Sequence, residues 1–254
     1  MAPISIDGEE ITGATIDGEE VQEITVDGQV AYTAGPDIPD SVVDNFESAD
    51  ADPRGVYGSG ATIADYYRFD TASFSRTASN VVEGVTALGR DTTSDKPAIA
   101  SNPGDGLNRY PDEGDSVAWL VRGESNAPSL ITNVQDNSTP GAYGFNYQDD
   151  AGEIRIYKYT DLSGGSDTEL TSAAVTATAT DWYWGEATLP TDSDDSISFT
   201  FYETDTATNP PTRGAEIESI TANDNDYATD RGVGATARSG GGSAAVMIDW
   251  IRVI

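Results

Sequence analysis

No cysteine and no histidine occur among the 254 residues. The first absence removes disulfides, thiolate metal sites and thiol nucleophiles together. The second removes Ser-His-Asp and Cys-His catalysis, His-ligated zinc and the usual general base near neutral pH. Lysine is almost missing too: Lys96 and Lys158 stand alone among 13 basic residues, and the rest are arginine. No run approaches the ~20 apolar residues of a membrane-spanning helix, so no membrane insertion is expected. The first residues show no basic segment leading into an apolar one, so no secretory signal is expected either. A chain made in a cytoplasm without such a signal leaves by another route, of which release by lysis within a particle is one.

What is abundant is acid. The chain carries 44 Asp and Glu and a net charge of −31. At ordinary ionic strength such a surface repels itself and destabilises the compact state. At molar salt the Debye length falls to ~3 Å and the repulsion is largely screened. Aromatics at 9% and hydrophobics at 37% supply a real core, so the acidity does not signal disorder. Acid-rich, lysine-poor and aromatic-sufficient is the pattern of salt-adapted proteins, and a halophilic fold is expected. Nucleic acid is excluded as a partner, because phosphate binding needs a basic patch.

The first 34 residues repeat one phrase three times, with Asp7-Gly8, Asp17-Gly18 and Asp27-Gly28 spaced every ten residues between β-branched neighbours. Asp-Gly in that setting marks a type I′ hairpin turn, whose central residues both need φ > 0. Three such hairpins are too small to bury a core alone, and units below roughly 40 residues normally need disulfides, metals or oligomerisation. Residues 1–34 are therefore expected to be an assembly handle, completed by other copies (a trimer or pentamer) or by a docking partner. A small extra sheet packed on the main domain is the alternative. Residues 35–40, with two prolines, read as a stiff linker.

From 41 to 254 the pattern is all-β. Short alternating runs at 116–122, 143–148, 154–159, 184–189, 197–203, 232–237 and 247–254 are separated by Gly, Asp, Asn, Pro and Ser. That density of strands predicts an antiparallel two-sheet jelly-roll sandwich as one domain. Alternation places Val117, Trp119 and Val121 on one face. It sets Ile154 and Ile156 against Arg155, Tyr157 and Tyr159, with the aliphatic face as core.

Four short segments carry a resemblance: Asp44-Asn45-Phe46-Glu47, the stretch from Val82 to Leu88, Trp182-Tyr183-Trp184, and Ile248-Asp249-Trp250-Ile251-Arg252-Val253. Together they resemble concanavalin A-like (laminin-G-like) jelly rolls. The resemblance implies that the first and last strands pair, bringing Phe46 near Trp250. It also implies an ion site: Glu47, Asp50 and Asp52 at the domain start would converge with Asp249 on a structural calcium, whose six to eight oxygens such a seam can supply. No other cofactor is expected. The N-terminal repeat resembles those of head and tail proteins from tailed viruses of halophilic archaea. It implies a structural virion protein of spike, capsid-turret or tail-fibre type, held by other virion proteins and displayed at the virion surface.

Sugars are gripped by aromatic faces and planar polar groups. Arg122, Arg155, Tyr157, Tyr159, Trp184 and Tyr202 are the candidates for one exposed sheet face contacting host-surface glycans in attachment. Relatives of this fold that hydrolyse glycosides carry a Glu-x-Asp-x-x-Glu strand. Here Glu203-Thr204-Asp205 begins one, but Thr208 stands where the second Glu belongs. Glu216 and Glu218 share a face by simple alternation, and glycoside hydrolysis would need two such carboxylates at a set separation. A binding protein that is no enzyme is the expectation, with pure capsid or tail decoration, then glycoside hydrolysis, as alternatives. Asn223 to Asp226 reads as an ordinary turn.

Overall fold

The computed structural model describes residues 5–6, 9–10, 15–16, 19–20, 23–26, 29–33, 42–47, 57, 60–90, 97–107, 109–123, 127–162, 166–207, 210–237 and 245–254. The N-terminal unit, Met1–Pro39, is built of three hairpins. Strands β1 (Ser5–Ile6) and β2 (Glu9–Glu10) pair, as do β3 (Thr15–Ile16) with β4 (Glu19–Glu20), and β5 (Glu23–Val26) with β6 (Gln29–Thr33). Ile6 faces Glu9, Ile16 faces Glu19 and Val26 faces Gln29, so each loop contains two residues. Those two are the Asp-Gly pairs, which themselves lie outside the described residues.

The second unit, Asp40–Ile254, holds the remaining strands. They are β7 (Val42–Asp44), β8 (Arg68–Phe69), β9 (Phe74–Thr77), β10 (Ala87–Arg90), β11 (Ala98–Ser101), β12 (Ser116–Val121), β13 (Pro128–Val134), β14 (Ala142–Gln148), β15 (Glu153–Asp161), β16 (Ser166–Ala174), β17 (Tyr183–Thr188), β18 (Ser196–Asp205), β19 (Thr212–Asn223), β20 (Gly232–Ala237) and β21 (Ala245–Val253). One sheet runs β19-β18-β17-β12-β21-β10-β9, with β7 also on β21. The other runs β16-β15-β14-β13-β20-β11-β8. Every pairing is antiparallel, and the two sheets pack as a sandwich of the jelly-roll kind. Two 3-10 turns, Ile63–Asp65 and Thr71–Ser73, are the helical elements among the described residues; none is long and apolar enough to cross a membrane.

Period-2 alternation builds the core between the sheets. Trp119, Phe199 and Phe201 project from one sheet and Phe145 and Tyr147 from the other, all essentially inaccessible. Trp119 stacks on Phe199 at 5.3 Å and meets Phe145 at 6.0 Å; Tyr147 lies 4.9 Å from Phe201. Offset and edge contacts of this kind add about 0.5–1.5 kcal/mol beyond the area they bury. Gly185 makes room for them, since a Cβ there would fall 2.6 Å from the Trp119 ring.

The first and last strands are neighbours: Asp44 pairs with Ile251 and Val42 with Arg252. Phe46 enters the inter-sheet core whereas Trp250 sits on the opposite face of its sheet, so pairing the strands does not join those two rings. A wholly buried carboxylate fixes the short strand. Asp44 accepts from the Phe46 amide, the Tyr57 hydroxyl and the Tyr67 hydroxyl, each at 2.7 Å. Phe46 has φ 55°, which a bulky residue adopts only where surroundings over-determine it. The Asp44 bond to its amide and the core around its ring do so.

Candidate functional site

Alternation assigns the two faces of β15, but not what lies on them. Ile154 and Ile156 are in the inter-sheet core, and Arg155, Tyr157 and Tyr159 are on the other side. That side is not open. Tyr157 and Tyr159 are 2% and 3% exposed, clustered with Ala98, Ala100, Ile131 and Leu162. Tyr159 packs against Gly144, where a Cβ would come within 2.4 Å of the ring. Arg155 donates to the Tyr157 hydroxyl at 2.8 Å and pairs with Glu153 and Glu169. These three side chains brace one another.

The other three candidates belong to the opposite sheet, so the six do not form one face. Arg122 follows β12 and is 9% exposed. Trp184 on β17 and Tyr202 on β18 are half-buried on the outer side, directly opposite one another, with Leu120 of β12 opposite Trp184. Parity within a strand cannot say which sheet the strand joins, and that is why the sequence merges the two sets.

Around Trp184 and Tyr202 the sheet assembles a polar frame. Glu186 accepts the indole N–H of Trp184 at 2.9 Å and takes Arg213 in two bonds of 2.7 and 2.8 Å. The Arg213 guanidinium lies 4.9 Å from the Tyr202 ring centre. Trp250 meets Trp184 edge-on at 4.8 Å and is capped by Arg252 at 4.2 Å, which in turn bonds Glu83 at 2.5 Å. Trp182, on the same face as Trp184, is packed with Trp250 and Leu120. The result is a pair of rings whose orientation is set before any ligand arrives. Sequence reasoning misses Glu186 and Arg213. Glu186 is readable as the residue two places after Trp184; Arg213 is hidden in a strand with no apolar alternation.

At the seam of the first and last strands, two acids grip one loop. Glu47 accepts the amides of Val85 and Thr86 at 2.6 and 2.9 Å. Asp249 accepts those of Val82 and Glu83, both at 2.8 Å, through one oxygen. Its other oxygen is buried without a partner. Burial pushes the Asp249 carboxyl up to about 7; the two amides pull it down, and the charges of Glu83 and Glu47 push it up again. Gly84 permits the tight approach, having φ 76° and a Cβ position only 2.0 Å from the Glu47 carboxylate. Asp50 and Asp52 lie outside the described residues. Among those described, no three Asp or Glu side chains gather as a metal cluster. Glu47 and Asp249 do fit a cation to the extent that the orphan oxygen and the mutual repulsion both call for positive charge.

Glu216 and Glu218 do not share a face, as simple alternation would place them. A register shift between Phe201 and Tyr202 sets Glu218 opposite core-facing Phe201 and Glu216 opposite outward-facing Tyr202. A bulge reverses parity, so the carboxylates stand on different faces. The turn at Asn223 to Asp226 does more than turn. Asp224 and Asp226 both take Lys158, and Asp224 also accepts the Tyr143 hydroxyl at 2.5 Å.

No protein-family model matches the chain, and no curated protein matches it in sequence. Among solved structures, the legume lectin-like domain of Entamoeba histolytica aligns at 9% identity, covering 80% of this chain and 92% of that one, with a TM-score of 0.48. The Bacteroides ovatus mixed-linkage glucan GH16 protein aligns at 12%, over 73% and 86%, with 0.45. The carbohydrate-binding module CBM66 from Bacillus subtilis aligns at 12%, over 71% and 93%, with 0.41. Likenesses at this level decide neither family nor ligand.

Proposed function

We propose that this chain is a non-enzymatic, sugar-binding appendage at the surface of a halophilic virus particle, and that its sandwich touches host glycans through Trp184 and Tyr202. The observation that carries the reading is that pair of half-buried rings on adjacent strands, locked by Glu186 and Arg213. Fixed aromatic rings give a ligand large contact area at little cost in side-chain entropy. An open face with no deep pocket holds a sugar at about millimolar affinity, ~4 kcal/mol. Multivalent display raises the avidity by ~10²–10⁴ without any new contact. The hairpins of residues 1–34 are the means of that display, self-associating as a trimer or pentamer and docking on other virion proteins. A structural calcium belongs to the same reading. Glu47 and the free oxygen of Asp249 would hold it, and its charge would offset the repulsion among Glu47, Glu83 and Asp249.

A second reading, pure capsid or tail decoration, draws on the burial of Tyr157 and Tyr159, which closes that part of the other sheet. Glycan-array binding in molar salt separates the two. The full chain binds; the folded Trp184→Ala/Tyr202→Ala double variant loses binding, and removal of residues 1–34 reduces both the assembly mass by light scattering and the avidity. A folded double variant that binds as well as the parent overturns the glycan reading in favour of decoration.

A further inference from the structure

The Trp184–Tyr202 face leads into a cleft of about 470 Å³ at the end of the sheet where β17 begins and β18 finishes. Trp182 forms part of its wall, its indole N–H tied to the Asn80 carbonyl at 3.0 Å, so the ring cannot swing away. Tyr183, the acids Asp181 and Glu203, and Thr180, Thr204 and Thr206 complete the lining. No basic side chain lines it. The Thr204 hydroxyl is buried beside it without a hydrogen-bond partner, an uncommon state. The ring pair lies nearby on the same two strands. Trp182 is two residues before Trp184 and Thr204 two residues after Tyr202, a step of about 7 Å along each strand.

We infer that this cleft is a subsite for a neutral, hydroxyl-rich sugar residue, and that the chain discriminates against uronic-acid and other anionic glycans. The inference rests on the glycan-binding reading above and names its ligand class. Carboxylates accept paired sugar hydroxyls, and Trp182, 8% exposed, closes the wall beside the sugar rather than stacking on it. A ligand carboxylate here would meet Asp181 and Glu203 with no basic side chain in the lining to balance it. Of the arginines stacked on this face, Arg213 is held by Glu186 and Arg252 by Glu83.

The test uses the full chain in molar potassium chloride, titrated with neutral gluco-, galacto- and manno-oligosaccharides and with oligogalacturonate of equal length. Glu203 is exposed, so Glu203→Gln and Thr204→Val should leave the fold intact, as circular dichroism will verify. Expected are binding to a neutral series, none to oligogalacturonate, and about a tenfold loss in Glu203→Gln, the effect of one hydrogen bond to a charged group. Neutral-sugar binding that depends on Trp184 but is unchanged in both Glu203→Gln and Thr204→Val overturns the subsite and leaves the broader reading standing. Oligogalacturonate bound as tightly as the neutral series overturns the charge selectivity. A parent chain that binds no member of the panel overturns the broader reading and this inference with it.

Discussion

Replacing Lys158 by Met should cost the sandwich about 2–3 kcal/mol, because Lys158 clamps two acids where the sheets meet. It stands on β15 of one sheet, and its ammonium bonds Asp224, at 2.6 Å, and Asp226 in the turn after β19 of the other. The Lys158 and Asp224 side chains are only 16% and 15% exposed. Breaking one side of a buried pair costs ~3–5 kcal/mol, since the remaining charge is left uncompensated. Residual exposure moves the figure below that range, and the largely exposed Asp226 adds at most ~1 kcal/mol. At ~2–4 °C per kcal/mol for a domain of this size, the thermal midpoint should fall by about 5–10 °C. Burial raises the Asp224 carboxyl, but hydrogen bonds from Lys158 and Tyr143 outweigh it and leave the carboxyl below its usual value. Its contribution is thus complete above about pH 4 and fades as the pH falls through the folded value. Burial lowers the Lys158 ammonium and its two acid partners more than reverse this, so its contribution fades only as the pH rises above about 10. Parent and variant should therefore differ by a constant gap between about pH 5 and 9, closing at acid pH. Thermal melts by circular dichroism in molar salt measure it. A midpoint change under ~2 °C at neutral pH, or a gap that grows on acidification, refutes the clamp.

Dilution from molar to about 0.1 M salt lengthens the Debye length from ~3 to ~10 Å and should lower the midpoint of the parent; an unchanged midpoint refutes the salt requirement. Calcium at about 100 times its dissociation constant should stabilise the parent by ~2.7 kcal/mol over chelator-treated protein, and Asp249→Asn should lose the response. Equal midpoints with and without calcium in the parent overturn that ion. Gly185→Ala should cost about 1–3 kcal/mol by driving a methyl into Trp119, measured by urea unfolding; no change in midpoint would mean the ring has room to move.

What the sequence discloses is set by which physical signal each strand carries. β14, β15 and β18 alternate large apolar residues with polar or small ones, and β12, β17, β20 and β21 stand out as short apolar or small-residue runs between turn residues, so their existence follows directly. β16 and β19 are the outermost strands of their sheets and are mostly Thr, Ser, Ala, Asp and Glu, so no apolar period marks them. β13 opens on Pro128 and contains Asn133 at φ 53°, two features that read as loop. Sheet membership is invisible to parity, and the six proposed sugar contacts therefore divide between two sheets. The Glu216 and Glu218 reading fails for a related reason, since one inserted residue in a bulge reverses every face beyond it. Lys158 and its acids are 66 and 68 residues apart, and only the folded topology joins them.

The placement of the cations explains how so acidic a chain keeps its strands together and how its outer rings are held. Arg68 reaches Asp105 and Asp136, Arg155 reaches Glu153 and Glu169, and Lys158 reaches Asp224 and Asp226. Each of these side chains stands between two carboxylates that the topology has brought together. An exposed ion pair alone contributes ~0–1 kcal/mol, so the larger effect is the removal of repulsion between neighbouring acids. Arg213 and Arg252 are placed differently. Each lies over an aromatic ring, Tyr202 and Trp250, and each is held there by one glutamate. Stacking against a ring takes one face of the guanidinium, and bonding to a carboxylate takes one of its terminal nitrogens. A guanidinium so engaged orients its ring but offers little to a negatively charged ligand. The same kind of pairing that steadies the acidic fold thus also fixes the rings of Tyr202 and Trp250 on the outer face of the sheet.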